Sequence, residues 1–143
     1  MSIVIVAVIL ILVIPLWNEK KEIGEVCFYS TCLKVEVVET REAMMKGLMY
    51  RESLGKYEGM LFLYQEEGLH SFWMKNMNFP IDIIWIAQDM KIVYILEEVP
   101  PCKTDICPIY KPDEQAQYIL EVNANFSRDH GIEVGDETEF IIK

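Results

Sequence analysis

Turn-forming residues divide this chain into many short apolar segments, and this division constrains the fold more than any other feature of the sequence. In residues 33–38 the apolar Leu33, Val35 and Val37 alternate with the charged Lys34 and Glu36, a period of two that is typical of a strand. The sequence predicts seven or eight short strands, at residues 26–29, 33–38, 60–64, 71–75, 82–87, 92–96, 117–122 and 138–142.

Few residues remain for helices or for long connections between strands. A short helix is predicted from Thr40, its capping residue, to Tyr50, and a single helical turn at 125–130 ends at Gly131. Residues 65–68 are predicted to form a turn and residues 100–112, with four prolines, a long loop. This pattern predicts a mainly β fold, either an antiparallel sandwich or a partly open barrel with one or two short helices.

The N-terminal segment is continuously apolar from residue 3 to residue 17. It has no helical or strand period, and it is short for a membrane span, which needs about 20 residues. Because no small-x-small cleavage site follows it, an uncleaved membrane anchor is favoured over a cleaved signal peptide. The predicted organisation is an anchor or signal segment at 1–17, a polar linker at 18–25 and a single globular β-rich domain at 26–143.

The formal net charge is −10, and the acidic residues are spread along the chain. Such a balance repels both nucleic acid and anionic lipid headgroups. The sequence therefore predicts no nucleic-acid partner and leaves residues 1–17 as the predicted contact with a membrane.

Four cysteines follow the apolar segment, as the pairs Cys27 and Cys32, and Cys102 and Cys107. An even number behind an export-like segment favours two disulfides, in any of three connectivities, over a four-thiolate zinc site. Disulfides form outside the cytoplasm, so the domain is expected on that side of the membrane, anchored there or, as the alternative, secreted after cleavage.

Residues 72–82 combine aromatic side chains, methionines, amides and charges in a way that a structural strand does not need. We therefore predict a site that is lined by Trp73, Met74, Lys75 and Asn76.

Asp82 lies between isoleucines, where burying a carboxylate costs free energy unless the carboxylate is paired. Lys75 is its expected partner and Arg51 a second one, in an ion pair that fixes the Pro80 bend or, alternatively, in a functional site.

Known catalytic and cofactor motifs are missing from the sequence, which contains neither a nucleophile elbow nor a phosphate-binding loop. No catalytic residue, metal ligand or cofactor is predicted from motifs. The eight methionines allow one further hypothesis, since thioethers together with cysteine can bind Cu(I). The competing interpretation is that they fill irregular gaps in the core.

Eight motifs occur in an order that resembles DUF192, an uncharacterised family of bacterial and archaeal exported domains. They cover about residues 33–142 and lie at 47–51, 59–62, 72–76, 80–82, 101–102, 107–110, 116–123 and 131–136. The resemblance implies a compact, mostly β domain with small flanking helices behind a signal or anchor, and no established activity. Two residues depart from the family pattern: Met77 stands where Thr is usual, and Asn125 where Gly is usual.

The leading functional hypothesis is a membrane-anchored binding or accessory domain outside the cytoplasm, with an unknown protein or glycan partner. Its contact surface is predicted to include Trp73, Met74, Lys75, Asn76, Asp82 and Arg51. One alternative is a small hydrolase that uses Asp82 with Lys75 and takes Asn76 as an electrophilic donor. The other is a copper-binding protein that uses methionine and cysteine.

Overall fold

The structure is a computed structural model that describes residues 21–143. The predicted membrane segment at 1–17 and residues 18–20 of the predicted linker lie outside the described residues. The first strand begins at Glu22, so residues 22–25 belong to the sheet and not to a linker. Among residues 21–143 no helix is both long enough and apolar enough to cross a membrane.

Within the described residues the chain forms seven strands and two short helices, which confirms a mainly β domain. The strands are β1 (Glu22–Cys27), β2 (Cys32–Val38), β3 (Glu58–Gly68), β4 (Ile81–Ile86), β5 (Ile92–Val99), β6 (Ala116–Asn123) and β7 (Glu139–Ile142). The helices are α1 (Arg41–Lys46) and α2 (Phe126–Asp129).

The strands of residues 21–143 form one sheet, in the order β5-β4-β6-β3-β2-β1-β7. Its neighbouring strands are antiparallel except β2 and β3, which run parallel with Val35 opposite Gly59. The predicted antiparallel sandwich is therefore wrong, because the sheet is single and mixed. Two parallel strands that follow each other in the chain need a long crossover connection between them. Residues 39–57, which contain α1, connect β2 to β3 and are long enough for this crossover.

Two local predictions were also wrong. Residues 65–68 do not form a turn, because β3 continues through them to Gly68, after a register shift that follows Leu63. Residues 71–75 do not form a strand, since only isolated bridges join Phe72 to Tyr110 and Lys75 to Cys102. An extended segment can thus form its backbone hydrogen bonds with a loop and need not be part of a sheet.

Each face of the sheet is covered by its own apolar core, because successive strand residues point to opposite faces. The first core contains Leu61, Ile84, Ile86, Leu120 and Val122 of the central strands. The second core contains Met60, Phe62, Ile83, Trp85 and Ile119 of the same strands. β4 is buried along its whole length for this reason.

The sheet curls around the first core. Val26 of β1 and Ile92 of β5 both belong to this core, although their strands are far apart in the sheet order. Lys91 and Glu137 form an isolated bridge between the start of β5 and the residues before β7. The second core lies on the other face, where α1 and residues 72–80 cover it, and this is where most of the predicted site residues lie.

Candidate functional site

Residues 72–80, named here the crossing segment, run over the second core and are held by backbone hydrogen bonds. Phe72 and Tyr110 exchange N–H to carbonyl bonds of 2.8 Å in both directions, and the Cys102 N–H donates to the Met74 carbonyl at 2.9 Å. The loop at 100–112 therefore fixes the position of the crossing segment.

Asn76 has a structural role in this segment. Its backbone is left-handed, with φ of 58°, a conformation that asparagine tolerates better than most residues. Its carbonyl accepts a hydrogen bond from the Tyr50 N–H at 2.9 Å, and its side-chain amide donates to the Tyr50 hydroxyl at 2.9 Å. The amide predicted to contact a ligand is thus already bonded to the loop that follows α1.

Trp73 is the exposed member of the predicted surface, whereas Lys75, Asn76 and Arg51 are partly buried. The Trp73 side chain is 43% exposed, and the Lys75 ammonium lies 5.4 Å from the centroid of its ring. Met74 between them is fully buried in the second core. Met74 therefore belongs to the packing beneath the site and not to its contact surface.

Arg51 is bound within the domain. Its guanidinium donates two hydrogen bonds to the Glu36 carboxylate, at 2.6 and 2.7 Å, in a half-buried bidentate pair. The hydrogen bond from Arg51 lowers the pKa of Glu36 against the opposing effect of burial, and the same bond raises the pKa of Arg51. Arg51 thus joins the loop after α1 to β2.

Asp82 lies on the face of the sheet opposite the crossing segment. It pairs with Val122 of the first core, while its neighbours Ile81 and Ile83 belong to the second core. Its carboxylate accepts hydrogen bonds from the backbone N–H groups of Glu98 (2.9 Å), Asn125 (3.1 Å) and Ser127 (2.9 Å).

The expected pair of Asp82 with Lys75 is therefore not formed. The side chain of Asp82, which is fully buried, instead ties β4 to β5 and to the start of α2. The hydrolase hypothesis requires Asp82 and Lys75 in one site, so that version of it is wrong.

The cysteines form two disulfides, which confirms the disulfide interpretation, and of the three possible connectivities the structure has Cys27 with Cys32 and Cys102 with Cys107. The first pair closes the β1–β2 hairpin, and the second closes the loop that supports the crossing segment. Their sulfurs are therefore not thiolate ligands, so the part of the copper hypothesis that used cysteine is wrong.

An open cleft of about 840 Å³ lies beside α1, between the end of β3 and the crossing segment. Apolar side chains line it, among them Met44 and Met45 of α1 and the rings of Phe72 and Trp73. Its rim is acidic, since Glu39, Glu66 and Glu67 line it together with Arg41. The ring of His70 stacks on that of Tyr64, with centroids 3.6 Å apart.

A small chamber of about 30 Å³ adjoins the cleft, with which it shares Met44, Met45, Phe72 and Trp73. The chamber is additionally lined by Lys46, Gly47, Leu48, Met49, Phe62, Lys75, Met77 and Glu121. It is large enough for about one water molecule or one ion. Four methionines from α1, from the loop after it and from the crossing segment thus meet around one small space.

Glu121 of β6 is the buried carboxyl group of this chamber. It is 5% exposed, and its Oε2 atom has no hydrogen-bond partner among the described residues. Burial raises the pKa of Glu121 to about 8, although the nearby Arg51 guanidinium acts to lower it. A buried carboxyl without a partner, next to a cavity, is a candidate functional group.

Sequence reasoning missed Glu121, although the signal was present. It lies between Leu120 and Val122 in an apolar strand, the same local pattern that singled out Asp82. The pattern predicts that burying either carboxyl costs free energy, but it does not show which of the two finds hydrogen-bond donors in the fold.

Comparison with known proteins gives a family and two solved structures. The model of the family DUF192, described as "Uncharacterized ACR", matches residues 25–140. No curated protein matches the chain.

A crystal structure from Sinorhizobium meliloti 1021, described as a "putative transcription regulator", is 32% identical. Its TM-score is 0.75, and the match covers 84% of this chain and 93% of that chain. A crystal structure of a protein of unknown function from Novosphingobium aromaticivorans DSM 12444 is 29% identical, with a TM-score of 0.72. That match covers 82% of this chain and 83% of the other.

Proposed function

The chain belongs to the uncharacterised family DUF192, and from this premise we propose that it is a binding domain that acts outside the cytoplasm. The two cysteine pairs support an oxidising compartment. Anchoring through residues 1–17 is part of the proposal and rests on the apolar sequence there.

The observation that carries the proposal is the apolar wall of the cleft. Trp73 is 43% exposed and Met45 is 64% exposed, and both line the same cleft of about 840 Å³. Pockets that bind ligands commonly have a volume of about 300–1,000 Å³ and are lined by apolar and aromatic side chains. Exposure of large apolar groups to water is unfavourable in free energy, and a bound partner that covers them removes this unfavourable contact.

The rim of the cleft indicates the chemistry of the partner. Glu39, Glu66 and Glu67 place an excess of negative charge around the apolar wall, which Arg41 only partly offsets. Electrostatic complementarity then favours a partner segment with both basic and apolar side chains. We propose a protein segment of this kind as the partner, in preference to a glycan.

The proposal includes no nucleic-acid partner, although the similar structure from Sinorhizobium is described as a "putative transcription regulator". The net charge of −10 opposes binding to the phosphate backbone of nucleic acid, where positive side chains supply most of the affinity.

The test uses the purified full chain and three fluorescent peptides of equal length. The first alternates Lys with Leu, the second Glu with Leu and the third Lys with Ser. We expect the first to bind about tenfold or more tightly than the other two in anisotropy titrations, because only it matches both the acidic rim and the apolar wall.

Trp73→Ala is expected to remove this preference, and Tyr29→Ala is the matched control, since Tyr29 is an exposed aromatic residue that does not line the cleft. The proposal fails if the three peptides bind equally or if both substitutions have the same effect. Tighter binding of a soluble oligosaccharide than of any of the peptides would also contradict it.

A further inference from the structure

The small chamber behind Trp73 has an unusual lining. Of its side chains, Met44, Met45, Met49 and Met77 carry thioethers, and they come from different parts of the chain. The space is about 30 Å³, which is too small for an organic ligand. One water molecule or one ion fits in this space.

The available donors select among metal ions. Thioethers are soft, neutral ligands that favour Cu(I), whereas Mg²⁺ and Ca²⁺ require oxygen ligands and Zn²⁺ favours thiolate or imidazole. Within residues 21–143 the four cysteines are paired, and no cluster of three or more His, Cys, Asp or Glu residues could hold a metal ion. A metal ion at this place therefore depends on the methionines.

Glu121 supplies a second and independent observation. Its buried carboxyl lines the same chamber, and Oε2 lacks a hydrogen-bond partner within the described part of the chain. A single carboxylate balances the charge of a monovalent cation but not that of a divalent one. Lys46 and Lys75 also line the chamber, and their ammonium groups repel any cation there, a divalent ion about twice as strongly as a monovalent one.

The aromatic wall is also favourable for a cation. The Trp73 ring lines the chamber as well as the cleft, and the Lys75 ammonium lies 5.4 Å from the centroid of this ring. The ring therefore already interacts with one cation, and a metal ion in the chamber would lie near the same ring.

We infer that this chamber is a binding site for a soft monovalent metal ion, Cu(I), with ligands drawn from Met44, Met45, Met49 and Met77 and with Glu121 as the compensating charge. The chamber shares four lining residues with the cleft but none of the acidic residues of its rim, and the inference does not rest on the proposed peptide partner. Binding is a ligand exchange without electron transfer: the ion enters and remains as Cu(I), and the proton that Glu121 carries in the metal-free protein passes to the solvent.

The test uses the full chain with its disulfides intact and its methionine methyl groups labelled with ¹³C. Silver(I) nitrate in a chloride-free buffer replaces Cu(I), because Ag(I) has the same charge and softness and needs no reductant. We expect the methyl signals of Met44, Met45, Met49 and Met77 to shift and to saturate at one equivalent of metal. Competition with bicinchoninate under anaerobic conditions then gives the affinity for Cu(I).

The chain offers a matched pair of variants for this test. Met49→Leu with Met77→Leu removes two lining thioethers, and about a tenfold or greater loss of Ag(I) and Cu(I) affinity is expected. Met60→Leu with Met74→Leu is the control, because these two methionines are buried in the same core but do not line the chamber. Leu is close to Met in volume, so both pairs should retain the fold.

Glu121→Gln keeps the shape of the side chain and removes its charge, so it should weaken Cu(I) binding by about tenfold or more. Absence of saturable binding in the wild-type chain would mean that the methionines only fill the core, and the inference would fail. An equal loss in the two Met-to-Leu pairs, or Zn²⁺ binding as tight as Cu(I), would also overturn it. Peptide binding at the cleft is measured separately, so its result does not decide this one.

Discussion

Two buried carboxyl groups on neighbouring central strands have opposite environments. Asp82 accepts three backbone hydrogen bonds and so holds β5 and α2 in place. Glu121 faces the other side of the sheet, where Oε2 finds no partner within residues 21–143 and the pKa of the carboxyl rises to about 8. A structural carboxylate and a candidate functional one thus differ in their hydrogen-bond donors and not in their burial.

The raised pKa of Glu121 predicts how stability depends on pH. The folded carboxyl stays protonated up to about pH 8, while in the unfolded chain it ionises near its ordinary value of 4.5. Unfolding therefore releases a proton between these values, and stability should fall as the pH rises through that window, by at most about 1.4 kcal/mol per pH unit. Glu121→Gln, which cannot ionise, should remove most of this fall in thermal melts at pH 5 and pH 8.

Glu66→Gln is the matched control, because Glu66 is exposed. The pair of Glu36 with Arg51 does not interfere in this window: the lowered pKa of Glu36 gives stability that is present above its ordinary value of 4.5 and is lost on further acidification. Equal pH dependence in wild type and Glu121→Gln would contradict the prediction.

At the level of elements, loops and not strands position the site. Thr40 caps α1 by accepting a hydrogen bond from the Ala43 N–H at 3.2 Å, and α1 in turn presents Met44 and Met45 to the cleft. The crossing segment is held by the disulfide-closed loop, from which Lys103 donates to the Met77 carbonyl and to Asn78 Oδ1. The geometry of the site therefore depends on this loop.

Replacing Cys102 and Cys107 with Ser should lower stability and also loosen the crossing segment. The chain-entropy estimate for so short a loop is a loss of roughly 2 kcal/mol. Urea unfolding measures the loss, and amide hydrogen exchange of residues 72–80 should become faster, because Cys102 donates to Met74.

Cys27→Ser with Cys32→Ser is the control, since both disulfides join residues with the same sequence separation of 5. This variant should lose similar stability while exchange in residues 72–80 stays as in wild type. If both variants loosen the crossing segment equally, the loop is not what positions it.

On the scale of the whole molecule, one curled sheet separates two cores, and this division places the two buried carboxyls apart. The central strands β3, β4 and β6 contribute to both cores, whereas β7 is a short edge strand with mainly exposed side chains. Stability is therefore expected to decrease from the centre of the sheet towards β7.

Native-state hydrogen exchange followed by mass spectrometry tests this expectation. Amides of β4 and β6 should exchange most slowly, because both faces of these strands are buried and both edges are paired. Amides of β7 should exchange fastest among the strands of the described chain. Exchange at one common rate across the sheet would show that the domain opens only as a unit, contrary to the prediction.

Much of the fold could be predicted from local pattern. Alternation in β2 and the apolar runs of β4 and β6 placed these strands within a residue or two, and Thr40 marked the start of α1. Asp82 was correctly identified as a buried carboxyl that needs partners, but its partner was predicted wrongly. The partners lie 16 to 45 residues away in sequence, where local periodicity carries no information.

The sequence by itself determined the family and the mainly β composition and predicted two disulfides, because these depend on ordered motifs, on local pattern and on the number of cysteines. The structure then pairs Cys27 with Cys32 and Cys102 with Cys107. Only the tertiary structure decided that β2 and β3 run parallel, that Asp82 and Lys75 lie on opposite faces and that Glu121 meets a chamber lined by methionines. These features depend on which strands become neighbours and in what register. A shift of one residue in register moves a side chain from one core to the other.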